Sequence, residues 1–119
     1  MFVQNFNDPV NTLLIEKSQF VLDLYHHFVG ELNKIGSFQE KKKMTSVTFE
    51  NRNTFASTII RNRSIKLVFR ADHKISSPRI LSVARVSKKF FDHTILLNSK
   101  KDVDEELKEW LEDAYHTGK

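Results

Sequence analysis

Between residues 45 and 69, three short segments follow one another so closely that the backbone has few ways to arrange them. Residues 45–49 (TSVTF), 54–60 (TFASTII) and 65–69 (IKLVF) are rich in β-branched and aromatic side chains, which favour extended chain. Asn51-Arg52-Asn53 and Arg61-Asn62-Arg63-Ser64 separate them, and connections this short join antiparallel neighbours. In the third segment Ile65, Leu67 and Phe69 alternate with Lys66 and Arg70. Such alternation predicts a strand with one buried and one wet face. Residues 79–86 and 92–97 read as two further strands around the polar turn Ser87-Lys88-Lys89.

Helical spacing brackets this run. Val21, Leu24, Tyr25, Phe28, Leu32 and Ile35 recur at three- and four-residue steps, predicting a helix within residues 12–35 whose firmest part is 18–34. Gly36 reads as its stop, because glycine takes the left-handed conformation without steric cost. Residues 1–11, with Asn5, Asn7, Asp8-Pro9 and Asn11, read as a loose lead-in. A second helix is expected over 100–115, with Val103, Leu107, Trp110, Leu111 and Ala114 on one face. Asp102 followed by Glu105 has the form of a capping signature, with Ser99 as the rival cap. The expected architecture is one α+β domain over residues 1–119. An antiparallel sheet of about five strands, within residues 45–97, is flanked by an N-terminal and a C-terminal helix.

Composition narrows the chemistry. A chain of 119 residues buries roughly 60–70% of its unfolded surface, enough for a core without staples. It has no cysteine, which removes disulfides, thiolate zinc sites and cysteine nucleophiles. There is no G-x-S-x-G, no glycine-rich phosphate loop and no H-E-x-x-H, so no enzyme activity and no cofactor are expected. The opening residues lack a basic region followed by an apolar run, and no stretch approaches the ~20 apolar residues of a membrane span. A cytoplasmic protein is the expectation.

The formal charge of +4 conceals segregation. Residues 1–40 carry two Lys against five acids, and residues 102–119 two Lys against seven. Residues 41–101 hold fifteen Lys and Arg against three acids, a net +12. This asymmetry points to a polyanionic partner, provided that the acidic ends do not fold back and cancel it. Arg61, Arg63, Lys66, Arg70, Arg79, Arg85, Lys88 and Lys89 are the expected polyanion-binding residues, with Arg61 and Arg63 projecting from a hairpin tip. Any binding would come from strands and loops, because the C-terminal helix is acidic and no recognition helix is present.

Other residues invite sharper readings that the sequence leaves weak. Asp23, His27 and Glu31 form a ridge at four-residue steps, but no second ligand pair accompanies it, and ordinary surface pairing explains the spacing. No metal site is therefore assigned. His93 beside Asp92 is a polar site in a strand, more simply structural than catalytic. Phe20, Phe28, Phe49, Phe55, Phe69 and Trp110 are expected in the core. Phe90-Phe91 is expected to turn one ring to each face.

With these elements placed, the sequence from about Leu24 to Tyr115 resembles a small bacterial family of domains of unknown function, number 5655 among such families. Carrying the resemblance are Lys34-Ile35-Gly36, residues 45–49, Asn53-Thr54-Phe55-Ala56, Pro78-Arg79-Ile80, His93, Asp104, Trp110-Leu111 and Ala114-Tyr115. Its members occur alone or behind nuclease-like domains in chains labelled predicted transport proteins. More distantly, the last strand and helix are similar to YdhG-like and MmcQ/YjbR-like double-wing domains. The resemblance implies the fold, a nucleic-acid context and no catalytic residues; the YdhG-like likeness implies small-ligand or iron binding. Three functions therefore stand side by side: binding of nucleic acid or another polyanion, interaction with a protein partner or with itself, and small-ligand or metal binding.

Overall fold

The computed structural model describes residues 18–43 and 46–117. In chain order these form helix α1 (Gln19–Asn33), strands β1 (Gln39–Lys43), β2 (Ser46–Asn51), β3 (Asn53–Ile60), β4 (Ile65–Ala71), β5 (Ser82–Arg85) and β6 (Phe91–Leu97), a 3-10 turn (Lys100–Asp102) and helix α2 (Glu105–Thr117). The expected lead-in, the expected helical residues 12–17 and Thr45 lie outside the described residues. All neighbouring strands are antiparallel, in the order β1-β2-β3-β4-β6-β5.

The α+β architecture is as expected, but the sheet has six strands where about five were expected. The added strand, β1, reads Gln-Glu-Lys-Lys-Lys and is exposed along its whole length, so no hydrophobic pattern announces it. Backbone pairing with β2 makes it a strand, in a register running from Gln39 opposite Glu50 to Lys43 opposite Ser46. Two side-chain ties hold it. Tyr25 of α1 donates a hydrogen bond to Glu40, and Lys41 pairs with Glu50 at 3.0 Å.

β4 sets the layers. Its buried Ile65, Leu67, Phe69 and Ala71 alternate with half-buried Lys66, Val68 and Arg70, and both helices contact it. Opposite it on the same face lie Ala56, Thr58 and Ile60 of β3 and Phe91, His93, Ile95 and Leu97 of β6. A register shift at Phe49/Glu50 marks a β-bulge, where Phe55 and Ala56 are both buried. α1 adds Val21, Leu24, Tyr25, Phe28 and Leu32 to the core, and α2 adds Leu107, Leu111, Ala114 and Tyr115. Phe20 departs from expectation at 45% exposed; it sits in the first turn, about 100° round the helix from Val21. No described element covers the other face of the sheet.

Three local expectations change. The fourth expected strand, residues 79–86, shortens to β5 because Ser77 organises a turn at its start, accepting from the Ile80 amide through its carbonyl (3.0 Å) and from the Arg79 amide through its hydroxyl (3.3 Å). The cap of α2 is Asp104, whose carboxylate accepts from the Leu107 amide at 3.0 Å. Asp102 instead accepts from the Asn98 and Ser99 amides at 2.7 and 3.2 Å and closes the 3-10 turn.

Gly36 serves close packing rather than a left-handed stop, since no described glycine has positive φ. A Cβ at Gly36 would lie 2.5 Å from the Tyr115 hydroxyl and 2.6 Å from its ring. That tyrosine cannot swing aside freely. Its hydroxyl donates to the Ser37 carbonyl at 2.8 Å and accepts from Asn51, while its ring meets Phe55 edge-on at 5.2 Å. The α1–β1 link, β2 and the end of α2 are thus tied at one point. Gly36→Ala is expected to destabilise the fold by about 1–3 kcal/mol, read as a lowered urea midpoint with an unchanged slope.

Candidate polyanion-binding surface

Strand register decides which cations share a surface. Side chains opposite one another across a ladder lie on the same face. Lys43, Ser46, Ile59, Lys66 and Leu96 therefore form one row across the face opposite the described helices, and Lys41, Thr48, Ser57, Val68, Thr94 and Ser82 the next. Arg70 stands beyond them with Asp92 opposite. This face carries cations at intervals with Ile59, Val68 and Leu96 between them, but Thr48 is buried at 3% exposed and Lys41 is paired with Glu50.

The eight expected cations do not form one patch. Arg61 and Arg63 are exposed at the β3–β4 hairpin tip, which is braced against α1: the Ser18 hydroxyl donates to the Asn62 carbonyl at 2.6 Å, and the Ser18 oxygen accepts from the Val21 amide. Lys66 lies next to this tip on the face opposite the described helices. Arg85, Lys88 and Lys89 sit at the other end of the sheet, around the β5–β6 turn. β4 and β6 pair from Ile65–Leu97 to Ala71–Phe91, so about 20 Å of strand separates the two groups. At the second end Phe91 is buried and Phe90 half-buried, with Arg85 over the Phe91 ring at 5.0 Å and Lys74 at 5.7 Å.

Two expected cations are occupied. Arg70 meets Asp92 through two hydrogen bonds, 3.0 and 3.4 Å. Arg79 reaches the helix layer, where it contacts Asp104 at 2.9 Å and Glu106 at 3.1 Å and donates to the Asp102 carbonyl at 2.6 Å. Burial costs the Arg79 guanidinium some charge stability, but the two carboxylates outweigh it and its pKa rises. Among the described residues, Arg61, Arg63, Lys66, Arg85, Lys88 and Lys89 have no ion-pair partner.

Some acids of the helices are paired within their own layer, while among the described residues Glu109, Glu112 and Asp113 have no ion-pair partner. Glu31 accepts from Lys108 and Lys34, each at 2.9 Å, and these hydrogen bonds, Lys108 first, hold its pKa at about 2. Lys108 also meets Glu105 at 3.1 Å. The ridge expected as a weak metal candidate is therefore divided: Glu31 is bound to lysines, and Asp23 accepts from Gln19 at 2.8 Å. A cleft of about 700 Å³ separates residues 71–76 from α2, lined by Asp72, His73, Glu109, Trp110, Asp113 and His116 among others. Asp72 and His73 pair there at 2.8 Å, which lowers the Asp72 pKa. Among the described residues, no group of three or more His, Asp or Glu side chains is placed to hold a metal ion.

His93 is a core residue, not a surface polar contact. The chain linking β4 to β5 crosses β6 on the helix side, and the Ile75 amide donates to His93 Nε2 at 2.9 Å. That nitrogen is an acceptor, so the ring is neutral with its proton on Nδ1, which has no hydrogen-bond partner among the described residues. His93 stacks on Phe69 at 5.3 Å, Phe69 on Trp110 at 5.5 Å, and Arg79 lies 5.7 Å from the Trp110 ring. The sequence offered only the Asp92-His93 pair; the crossover that buries the imidazole is a tertiary feature.

A family model described as Domain of unknown function (DUF5655) matches residues 11–118. No curated protein and no solved structure matches the chain. No helix among the described residues is long and apolar enough to cross a membrane.

Burial pushes the His93 pKa below its ordinary value of 6.5, and the nearby Phe91 and Phe69 carbonyls offset this only in part. The unfolded chain therefore binds a proton that the folded chain refuses. Stability falls as pH drops through about 6.5 and levels off below the folded pKa. His93→Gln is expected to flatten this part of the stability-versus-pH curve, as measured by urea melts between about pH 7 and 5.5.

Proposed function

The chain belongs to the DUF5655 family, and we propose that it is a non-enzymatic binding module for nucleic acid or another polyanion. In this reading the contacts come from the β3–β4 hairpin tip and the sheet face opposite the described helices, with Arg61, Arg63, Lys66 and Lys43 as the leading contacts. The β5–β6 turn, with Arg85, Lys88 and Lys89, is a second contact about 20 Å away along the strands.

One observation carries the reading: the paired helix carboxylates, Glu31, Asp104, Glu105 and Glu106, meet Lys34, Lys108 and Arg79, and among the described residues none pairs with Arg61, Arg63, Lys66, Lys43, Arg85, Lys88 or Lys89. A row of cations and hydroxyls suits phosphate oxygens, which accept from both. Ile59, Val68 and Leu96 offer apolar surface between them. Arg70 and Arg79 take no leading part, because binding there would first break contacts to Asp92 or to Asp104 and Glu106. A cytoplasmic setting, a bacterial origin and kinship with the YdhG-like and MmcQ/YjbR-like domains belong to this same proposal. The kinship rests on the likeness of the last strand and helix, the bacterial origin on the family resemblance, and the cytoplasmic setting on the opening residues and the lack of a long apolar stretch.

Fluorescence anisotropy with labelled single-stranded and duplex DNA and RNA tests it at two salt concentrations. Binding at low salt that weakens steeply at high salt is expected. Arg61→Glu with Arg63→Glu is expected to weaken it by about tenfold or more while leaving the melting temperature nearly unchanged. No binding by the wild-type chain at low salt would overturn the reading.

A further inference from the structure

The two edges of the sheet are built in opposite ways. β1 carries three lysines and lies fully exposed, a composition that discourages a foreign strand from pairing there. β5, at the other edge, reads Ser-Val-Ala-Arg and is also fully exposed. Among the described residues, five large apolar side chains are exposed, and three are Leu81, Val83 and Val86, at 61%, 38% and 44%. An edge with apolar side chains and no lysine within it lacks the usual protection against pairing.

The ladder shows which backbone groups point outward. The Val86 amide donates to the Phe90 carbonyl at 3.0 Å. Antiparallel alternation then turns the N–H and C=O of Ala84 and Ser82 towards β6, and those of Val83 and Arg85 away from the sheet.

We propose that β5 is a self-pairing edge: β5 of a second copy of this chain adds to it antiparallel and joins the two sheets across a two-fold axis. The segment is complementary to itself in one particular register. With Val83 opposite Arg85 of the second copy, the outward N–H and C=O groups of both residues find partners, giving four hydrogen bonds. Ala84 then faces Ala84 of the second copy on the axis. This is a non-hydrogen-bonded position, where Cα atoms approach to about 4.5 Å, and a methyl group fits without crowding. No like charges stand opposite one another, because each Arg85 meets a valine that its aliphatic stem can cover. A two-fold contact of this kind uses the same patch on both copies. An acidic partner strand would have no such register to recommend it. The pairing strand is short, so the dimer dissociates on dilution. This inference is independent of polyanion binding.

Sedimentation velocity of the full chain, from low micromolar to near-millimolar concentration, reads the assembly. The mass is expected to rise from 14.0 kDa towards twice that value. Val83→Pro removes an outward donor and is tolerated at an edge position; it is expected to weaken the dimer by about tenfold or more with little change in melting temperature. Hydrogen exchange on the wild-type chain provides a second readout. The Val83 and Arg85 amides should slow as concentration rises, while those of Ser82 and Ala84 stay constant. A chain that remains monomeric throughout the range would overturn the proposal. So would a dimer in which Val83 and Arg85 exchange as fast as in dilute solution, which would place the contact on the sheet face opposite the described helices or elsewhere. Should Val83→Pro fail to fold, the exchange measurement decides alone.

Discussion

The burial of Ile65, Leu67 and Phe69 beneath α1 and α2 is the contact on which the molecule's two-sidedness depends. β4 lies inside the sheet, with β3 on one side and β6 on the other. Its strict alternation assigns a face to every residue paired with it. Once those three side chains are buried, Lys66 and Arg70 must point the other way. The register carries that choice across the ladder to Lys43 and Leu96. A slip of one residue would bring Lys66 into the core and turn Phe69 to water.

This constraint answers the question posed by the charge distribution. Among the described residues, the acidic helices α1 and α2 both pack on the face that β4 buries. Distance and the thickness of the sheet therefore separate the described helix carboxylates from the strand cations of the opposite face. Arg79 is the exception, because the crossover from β4 to β5 runs on the helix side and delivers it to Asp104 and Glu106. The same crossover covers His93. Arg79, Trp110, Phe69 and His93 form a continuous stack, which links the neutral core histidine to the helix cap through Arg79 and Asp104.

Much of this was legible from residue patterns. The positions read as the apolar face of α1 are buried from Val21 to Leu32, and β4 alternates as its letters do. What escaped was held by backbone or by tertiary contact. β1 has no apolar residue to betray it and exists because β2 offers an edge and Tyr25 a donor. Gly36 looked like a helix stop, but its missing side chain makes room for a tyrosine 79 positions away along the sequence. Arg79 looked like one more free cation, and nothing local to it names Asp104 or Glu106 as partners. The resemblance through Lys34-Ile35-Gly36 and Ala114-Tyr115 had placed both ends of the Gly36 contact in view without saying that they touch.

Most directly at stake is the separation of an acidic, helix-bearing face from the cationic face opposite the described helices. Residue-resolved NMR shift mapping with a short oligonucleotide at low salt tests it. The account predicts saturable perturbations at Arg61, Arg63, Lys66, Lys43 and Val68, with the amides of α2 left in place. Perturbations centred on Glu109, Asp113 and His116 beside the acidic cleft, with the hairpin tip unmoved, would contradict it.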